Sequence, residues 1–375
     1  MPDVLIFADT MRSPQMRHEV PVSVPDPFLY VERNGSRHAV LTAFEVERVA
    51  AAGIEAHPME EFGWDALVGK GPREQQALIL YERALEHLGV EDALVPHDFP
   101  LELADRLRAK GVKVTPDREL FTKRRRVKTE PELEGIRRAQ RGTEAGMAAA
   151  RDLLRAAEVS DGRVMLEGEP LTCERLKAAI TEVFLEHNLV SDAMIVAHGA
   201  QGAEGHEMGS GPIAAGESVV IDLFPRDFES GCYADMTRTF VVGEVPEELA
   251  EYHRLVYEAL QKAMGAVRAG AEGRPIYELV CDVFHEAGYP TQLSKREGEV
   301  LSNGFFHGLG HGVGLEVHEQ PWLSRDPSRL VAGDVITLEP GLYRKGYGGV
   351  RLEDLVLVTD GGAENLTEFP YDLQP

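Results

Sequence analysis

The stretch "HGLGHGVGLEVHE", residues 307–319, holds three histidines, with a glycine at every second position from Gly308 to Gly314. His307 and His311 are four residues apart, the spacing of two ligands on one helix face. Four interleaved glycines argue against a helix, because each costs roughly 1 kcal/mol relative to alanine in a helix interior. An extended segment is the better reading. Side chains then alternate with period two, so His307, His311 and the odd positions between them project to one side. Glycines fill the other side, where they let a neighbouring backbone or a bound molecule approach closely.

The chain has 375 residues, enough for two or three domains at about 150 residues each. Hydrophobic residues make up 43% of it, as in a soluble enzyme, while the formal charge of −24 repels nucleic acid and anionic membranes alike. The one basic run, "KRRRVK" at 123–128, reads as a solvated linker rather than a nucleic-acid patch. Three cysteines with no CxxC pair fit reduced thiols in a cytoplasmic protein. "MPDVLIFADT" lacks a basic n-region and reads as a first strand, not a signal peptide. No apolar run is long enough to span a bilayer.

Residues 1–124 alternate strand-like and helix-like patterns, which predicts an α/β domain. "DVLIF" reads as a strand, and "FLYVERNGSRHAVLT" as two strands around the Asn34-Gly35 turn. "PREQQALILYERALEHLG" has helical spacing at Leu78, Tyr81, Leu85 and Leu88, with Gly89 as a stop. A second domain, 125–375, begins with the capping-box signature Thr129…Glu132 ahead of a helix with Leu133, Ile136, Met147 and Leu154 on one face. A repeat of pattern follows: two helices (about 130–157 and 173–187) and two β-rich runs, then two more helices (about 246–268 and 276–287) and two more β-rich runs. The first half carries Asp222 and Asp235, the second Glu339 and Glu353.

Each of these acids sits in a strand-forming segment, and a hairpin in each half would bring its pair side by side. Singly, each could be an exposed acid on a solvated sheet face. Together, four carboxylates on the apolar strands of one sheet repel and could not all ionise without a counter-charge. Two divalent cations would neutralise them. A carboxylate-rich set with one histidine suits Mn²⁺, with Co²⁺ or Zn²⁺ as alternatives.

The runs "IDLFPRDFESGCYADMTRTF", "HGLGHGVGLEVHE", "LEPGLY" and "GVRLEDLV", in that order, resemble the pita-bread metallopeptidases, the family of methionine aminopeptidase, prolidase, aminopeptidase P and the metal-free creatinase. An α/β domain ahead of the matching half resembles the prolidase, aminopeptidase P and creatinase branch. The resemblance implies a creatinase-like N-terminal domain, then an α+β domain of two pseudo-two-fold halves around a dinuclear metal centre. It implies Asp222 on one metal, Asp235 and Glu353 bridging both, and His311 and Glu339 completing the second. All five ligand types are present. Twelve residues separate Asp222 from Asp235, more than is usual in the family; the surplus falls in the connecting loop, and leaves Arg226 and Asp227 open between structural and substrate-facing roles.

What the resemblance further implies is hydrolysis of the bond between an N-terminal residue and a following proline, by a prolidase or an aminopeptidase P. Glu339 would shuttle the proton, His206 and His318 would bond the tetrahedral intermediate, and His307 and Arg351 would line and support the substrate site. His198, eight residues upstream of His206, is the local competitor. A creatinase-like hydrolase of a non-peptide substrate is the alternative. Partners are expected to be small proline-containing peptides and a second copy in a homodimer. Arg12, Arg17 and Arg48 are candidates to meet a dipeptide's carboxylate. Cys232, beside Asp235, is expected to pack rather than react.

Overall fold

The computed structural model describes residues 2–375 and divides into two compact units, one ending at Arg125 and one beginning at Arg126. In the N-terminal unit six strands form one mixed sheet: β1 (Asp3–Ala8), β2 (Phe28–Arg33), β3 (Ser36–Leu41), β4 (Glu55–Pro58), β5 (Asp92–Val95) and β6 (Lys113–Pro116), in the order β4-β3-β2-β1-β5-β6. Asn34 and Gly35 take positive φ (49° and 84°), as a two-residue hairpin turn requires, so β2 and β3 pair antiparallel. Helix α1 (Arg73–Leu88) stops at Gly89, whose φ of 69° is left-handed. Its buried stripe runs through Leu80, Tyr81, Ala84 and Leu85, and Leu78 and Leu88 lie at the margin of that core.

The basic run is not a solvated linker. Residues Arg118–Arg126 are helical, and the cations find specific carboxylates. Arg124 bonds Glu19 at 2.9 Å and Glu32 at 2.6 Å within the N-terminal unit. In the second unit Arg126 forks onto Asp334 at 2.9 and 2.6 Å. Lys128 meets Glu319 at 2.5 Å with both side chains nearly buried. Charge-assisted pairing at fixed positions, not hydration, decides the run's conformation.

The second unit opens with α2 (Glu130–Ala156), capped reciprocally by Thr129 and Glu132, and α3 (Cys173–Glu186). Strands β7 (Ile195–His198), β8 (Ser218–Leu223) and β9 (Met236–Val241) follow as one antiparallel sheet. The pattern then recurs. Helices α4 (Glu247–Ala266) and α5 (Gly273–Glu286) precede β10 (Gly310–Gly312), β11 (Glu319–Leu323), β12 (Val335–Leu338), β13 (Gly341–Arg344), β14 (Gly348–Arg351), β15 (Asp354–Val358) and β16 (Ala363–Asn365). Here β11-β10-β12-β15-β16 form the sheet, and the hairpin β13–β14 stands apart with Asn303–Gly304. Each helix pair covers its own core. Ile136, Met147 and Phe184 pack with Ile221 and Phe240 in the first half; Leu260, Val280 and Phe284 pack with Ile336 and Val356 in the second.

The most deeply buried cation helps join the halves. Arg238 of β9 is fully buried, donates to the Glu353 carbonyl at 2.8 Å and the Asp354 carboxylate at 2.9 Å, and reaches the carbonyls of Phe369 and Pro370. Removing one partner of a buried, hydrogen-bonded ion pair costs about 3–5 kcal/mol. Arg238→Ala is therefore expected to lower unfolding stability in urea by about that amount, and a loss below about 1 kcal/mol would contradict this role.

Candidate active site

Within the second unit a cavity of about 480 Å³ opens over the junction of the two sheets. Register explains which residues reach it. In the first half Asp222, near the end of β8, pairs with Thr237, two residues past Asp235. In the second, Leu338 of β12 pairs with Asp354 of β15, which places Glu339 and Glu353 just beyond that pair. The histidine segment enters as β10, squeezed between two strands. A Cβ on Gly310 would stand 2.0 Å from the Thr337 carbonyl oxygen, and one on Gly312 would stand 2.2 Å from that of Gln320. No side chain fits either gap, so glycine is obligatory there. Gly308 is looser, with nothing nearer than 3.5 Å.

Asp235, His311 and Glu353 form a buried trio whose donor atoms lie within 4.8 Å of one another. The His311 Nδ1 lies 3.1 Å from the Gly312 carbonyl, which can only accept. The ring proton therefore sits on Nδ1, and Nε2 turns a lone pair toward Glu339 at 3.5 Å and Asp235 at 3.8 Å. Burial holds this imidazole neutral, pushing its pKa down to about 3, the protonation state a metal ligand needs. Asp222 Oδ2 accepts from Arg351 at 2.5 Å, while its Oδ1 and the Oδ1 of Asp235 are buried without a hydrogen-bond partner. Two orphaned carboxylate oxygens, a neutral imidazole and two further carboxylates fit a divalent-metal centre.

Around the acids runs a hydrogen-bond chain from Glu353 through Arg351 to His307, three residues the sequence pointed to, joined by Thr237 and Tyr343, which it did not. Thr237 donates to Glu353 at 2.7 Å and accepts from Arg351 Nε at 3.1 Å. Arg351 also donates to the Tyr343 hydroxyl at 3.1 Å, and that hydroxyl lies 2.9 Å from His307 Nε2. His307 donates its Nδ1 proton to the Gly308 carbonyl at 2.7 Å, and burial pushes its pKa down to about 3. Thr237 could have been found from strand alternation, since it lies two residues past Asp235 on the same face. Tyr343 falls inside the quoted "LEPGLY" run, but only the hairpin β13–β14 turns it onto Arg351.

His206 and His318, both exposed, stand at the cavity mouth with Phe224, Phe306 and Trp322 on its walls. The His318 ring is edge-on to His311, 4.3 Å between centroids. His198 does not join them; its Nδ1 lies 2.6 Å from Glu217. The long loop after β8 is tied down structurally. Asp227 accepts from Arg138 at 2.8 Å and from Ser230 at 2.6 Å, and it pairs across to Leu189. Cys232 is buried. Arg12, Arg17 and Arg48 each bond inside the N-terminal unit, to Asp9, Ser23 and Glu45 respectively.

Two pseudo-symmetric αβ halves closing on a buried ring of carboxylates and one imidazole form a pita-bread fold around a candidate metal centre, preceded by a separate α/β unit. Residues 134–360 match the Metallopeptidase family M24, and the chain belongs to that family. It is 36% identical over 227 residues to an Xaa-Pro dipeptidase of Pyrococcus furiosus, an alignment covering 58% of this chain and 61% of that enzyme. Against the Xaa-Pro dipeptidase of Pyrococcus horikoshii it is 33% identical over 77% of this chain and 75% of the relative. The matches thus span about three fifths to three quarters of the curated relatives' lengths. An X-Pro aminopeptidase structure from Thermotoga maritima shares the fold over 99% of this chain and 97% of that one, with a TM-score of 0.79 at 23% identity. None of these relatives favours the creatinase-like alternative.

Burial, and then repulsion from neighbouring carboxylates, holds Asp235 and Glu353 well above the usual carboxylate range. Burial also pushes Glu339 up to about 7, against the opposing charge of Arg351. In the unfolded chain such acids ionise near about 4. Their contribution to stability is therefore complete below about pH 4 and is lost as pH rises through the folded values. Because His307 and His311, held neutral by burial, contribute the opposite slope below about pH 6.5, the chelated protein is expected to melt at progressively lower temperature from about pH 6.5 to about pH 8, with the slope flattened by saturating divalent metal. Parallel melting curves with and without metal would contradict the shared-charge account.

Proposed function

We propose that the chain hydrolyses the peptide bond between an N-terminal residue and a following proline, with Asp222, Asp235, His311, Glu339 and Glu353 holding two divalent metal ions. The observation that carries this reading is the buried trio Asp235–His311–Glu353 with its orphaned carboxylate oxygen, in a family whose relatives bear Xaa-Pro dipeptidase names. Bound divalent metals supply Lewis acidity and bring the ionisation of water toward neutral pH. The side chains do the rest.

Glu339 lies half-buried at the cavity, its Oε1 3.5 Å from the Thr337 hydroxyl. Placed there, it takes the proton of the attacking water and returns it to the leaving nitrogen. That return matters for proline, whose nitrogen carries no hydrogen in the substrate amide. His206 and His318 donate to the oxygen on which charge develops. Arg351 and Tyr343 hold Asp222 and the His307 ring in place, and Phe224, Phe306 and Trp322 offer an apolar wall for a pyrrolidine ring.

The four-carboxylate, one-imidazole set supports Mn²⁺ first, then Co²⁺ or Zn²⁺. Three buried free cysteines support a reducing compartment such as the cytoplasm. No helix among the described residues is long and apolar enough to cross a membrane. Assembly as a homodimer is carried over from the family resemblance.

Rates on Ala-Pro and Ala-Pro-Ala, measured on metal-stripped protein before and after Mn²⁺, test the reading. Restored cleavage of the dipeptide alone means a dipeptidase, and cleavage of the tripeptide means an aminopeptidase. Failure to turn over either with Mn²⁺, Co²⁺ or Zn²⁺ would sink the proposal. Alanine at His206 or His318 is expected to lower kcat by about 10²–10³, as loss of a transition-state donor does, with metal content unchanged. Equal loss of metal and rate would instead make these histidines ligands.

A further inference from the structure

Away from the catalytic unit, two histidines and a glutamate converge on one face of the N-terminal sheet. β3 and β4 run parallel with His38 opposite Glu55. His57 lies two residues beyond Glu55, so strand alternation returns it to the same face. His38 Nδ1 stands 3.3 Å from His57 Nε2 and 3.3 Å from Glu55 Oε2, and His57 Nε2 is 3.8 Å from Glu55 Oε1. All three donors lie within 4.8 Å of one another. Both rings are largely covered, with side chains 15% and 16% exposed, whereas Glu55 is 62% exposed and leaves the cluster open to water.

A fourth residue orients the cluster. Glu61, in the 3₁₀ turn Met59–Phe62, lies 3.0 Å from His57 Nδ1. A carboxylate there accepts the Nδ1 proton, which leaves Nε2 as a lone pair aimed at His38 and Glu55. This is the carboxylate–histidine arrangement that fixes a ligand's tautomer in metal sites. The ring is also held by His38, nearly stacked at 5.6 Å, and by the edge contact with Phe62 at 5.9 Å. Two of the three donor spacings match a metal as well, and the third, from His57 to the other oxygen of the exposed Glu55, is 3.8 Å. Ligands at about 2.0–2.1 Å from a tetrahedral zinc ion lie roughly 3.3–3.4 Å apart.

We propose that His38, Glu55 and His57 form a second metal site, of the two-imidazole, one-carboxylate type, that takes Zn²⁺ with its fourth position open to water. Imidazole-rich donors select zinc and its late first-row neighbours over Mg²⁺, Ca²⁺ or Mn²⁺, so this site and the carboxylate-rich catalytic one differ in preference. Zinc here clips the edge strand β4 to β3 and anchors the turn that carries Glu61. Because the donors converge only in the folded unit, binding stabilises that fold. The competing account is a cluster held by a single proton on His38 Nδ1, shared between His57 and Glu55.

The test uses the full chain with the catalytic set disabled by Asp235→Asn and Glu353→Gln, titrated with Zn²⁺ against a chromophoric chelator. The expected result is one more Zn²⁺ per chain than in the same protein carrying His57→Ala. Glu61→Gln, which keeps size and packing, should weaken that extra site by about 10–100-fold, the usual effect of removing a ligand's outer partner. In an otherwise native chain, His57→Ala should retain Mn²⁺-dependent hydrolysis. Equal Zn²⁺ uptake with and without His57, or an affinity indifferent to both His57→Ala and Glu61→Gln, overturns the proposal in favour of the shared proton.

Discussion

Four carboxylates converge on one largely buried cavity, and most of the second unit's architecture can be understood as what makes that arrangement tolerable. Like charges this close cannot all ionise in a poorly solvated site. The molecule answers with one nearby guanidinium, Arg351, and with raised carboxyl pKa values that keep protons on Asp235 and Glu353. A protein selected only for stability would replace such a cluster with apolar side chains of similar volume. Its presence marks the place where a cation is expected to restore charge balance.

Holding those acids in position falls to the pseudo-symmetric halves. Each contributes one helix pair, one core and one pair of acids at the end of antiparallel strands. The halves are fastened to each other through β9, whose Thr237, Arg238 and Thr239 bond Glu353, Asp354 and the backbone of Arg351. The symmetry is broken where chemistry needs it broken. Only the second half has the glycine-lined strand that brings His311 to the acids, and only the second inserts the hairpin carrying Tyr343 and Arg351. The first half spends its extra loop residues differently. Asp227 folds them against Arg138 and Ser230, and Gly135 is kept small because a Cβ there would fall 2.1 Å from the Ser230 hydroxyl oxygen.

The order of motifs along the chain, the capping box at Thr129, the turn at Asn34-Gly35 and the two pairs of strand acids could be read from residue type and spacing, and the full set of candidate ligands from the family resemblance that the motif order carries. These are short-range or periodic signals, and local backbone chemistry determines them. The reading of "KRRRVK" as a solvated linker failed for a complementary reason. The run's fate depends on carboxylates at Glu19, Glu32, Glu319 and Asp334, far away in sequence, and no local rule reports them. Tyr343 and the aromatic walls were missed on similar grounds, because their contacts cross between strands whose register the sequence does not display, whereas Thr237 lay within reach of strand alternation.

By itself, then, the sequence determined the class of fold, the repeat and the chemical identity of the candidate site, since each rests on patterns of a few residues or on motif order. Tertiary structure decided which acid carries which partner: Asp222 with Arg351, Asp235 with His311, Glu353 with Thr237. It also decided that His198 turns away to Glu217 while His206 faces the cavity, and that His38, Glu55 and His57 meet at all. Such pairings depend on strand register and on distances of a few ångströms between segments up to 129 residues apart. Only the packed chain sets those distances.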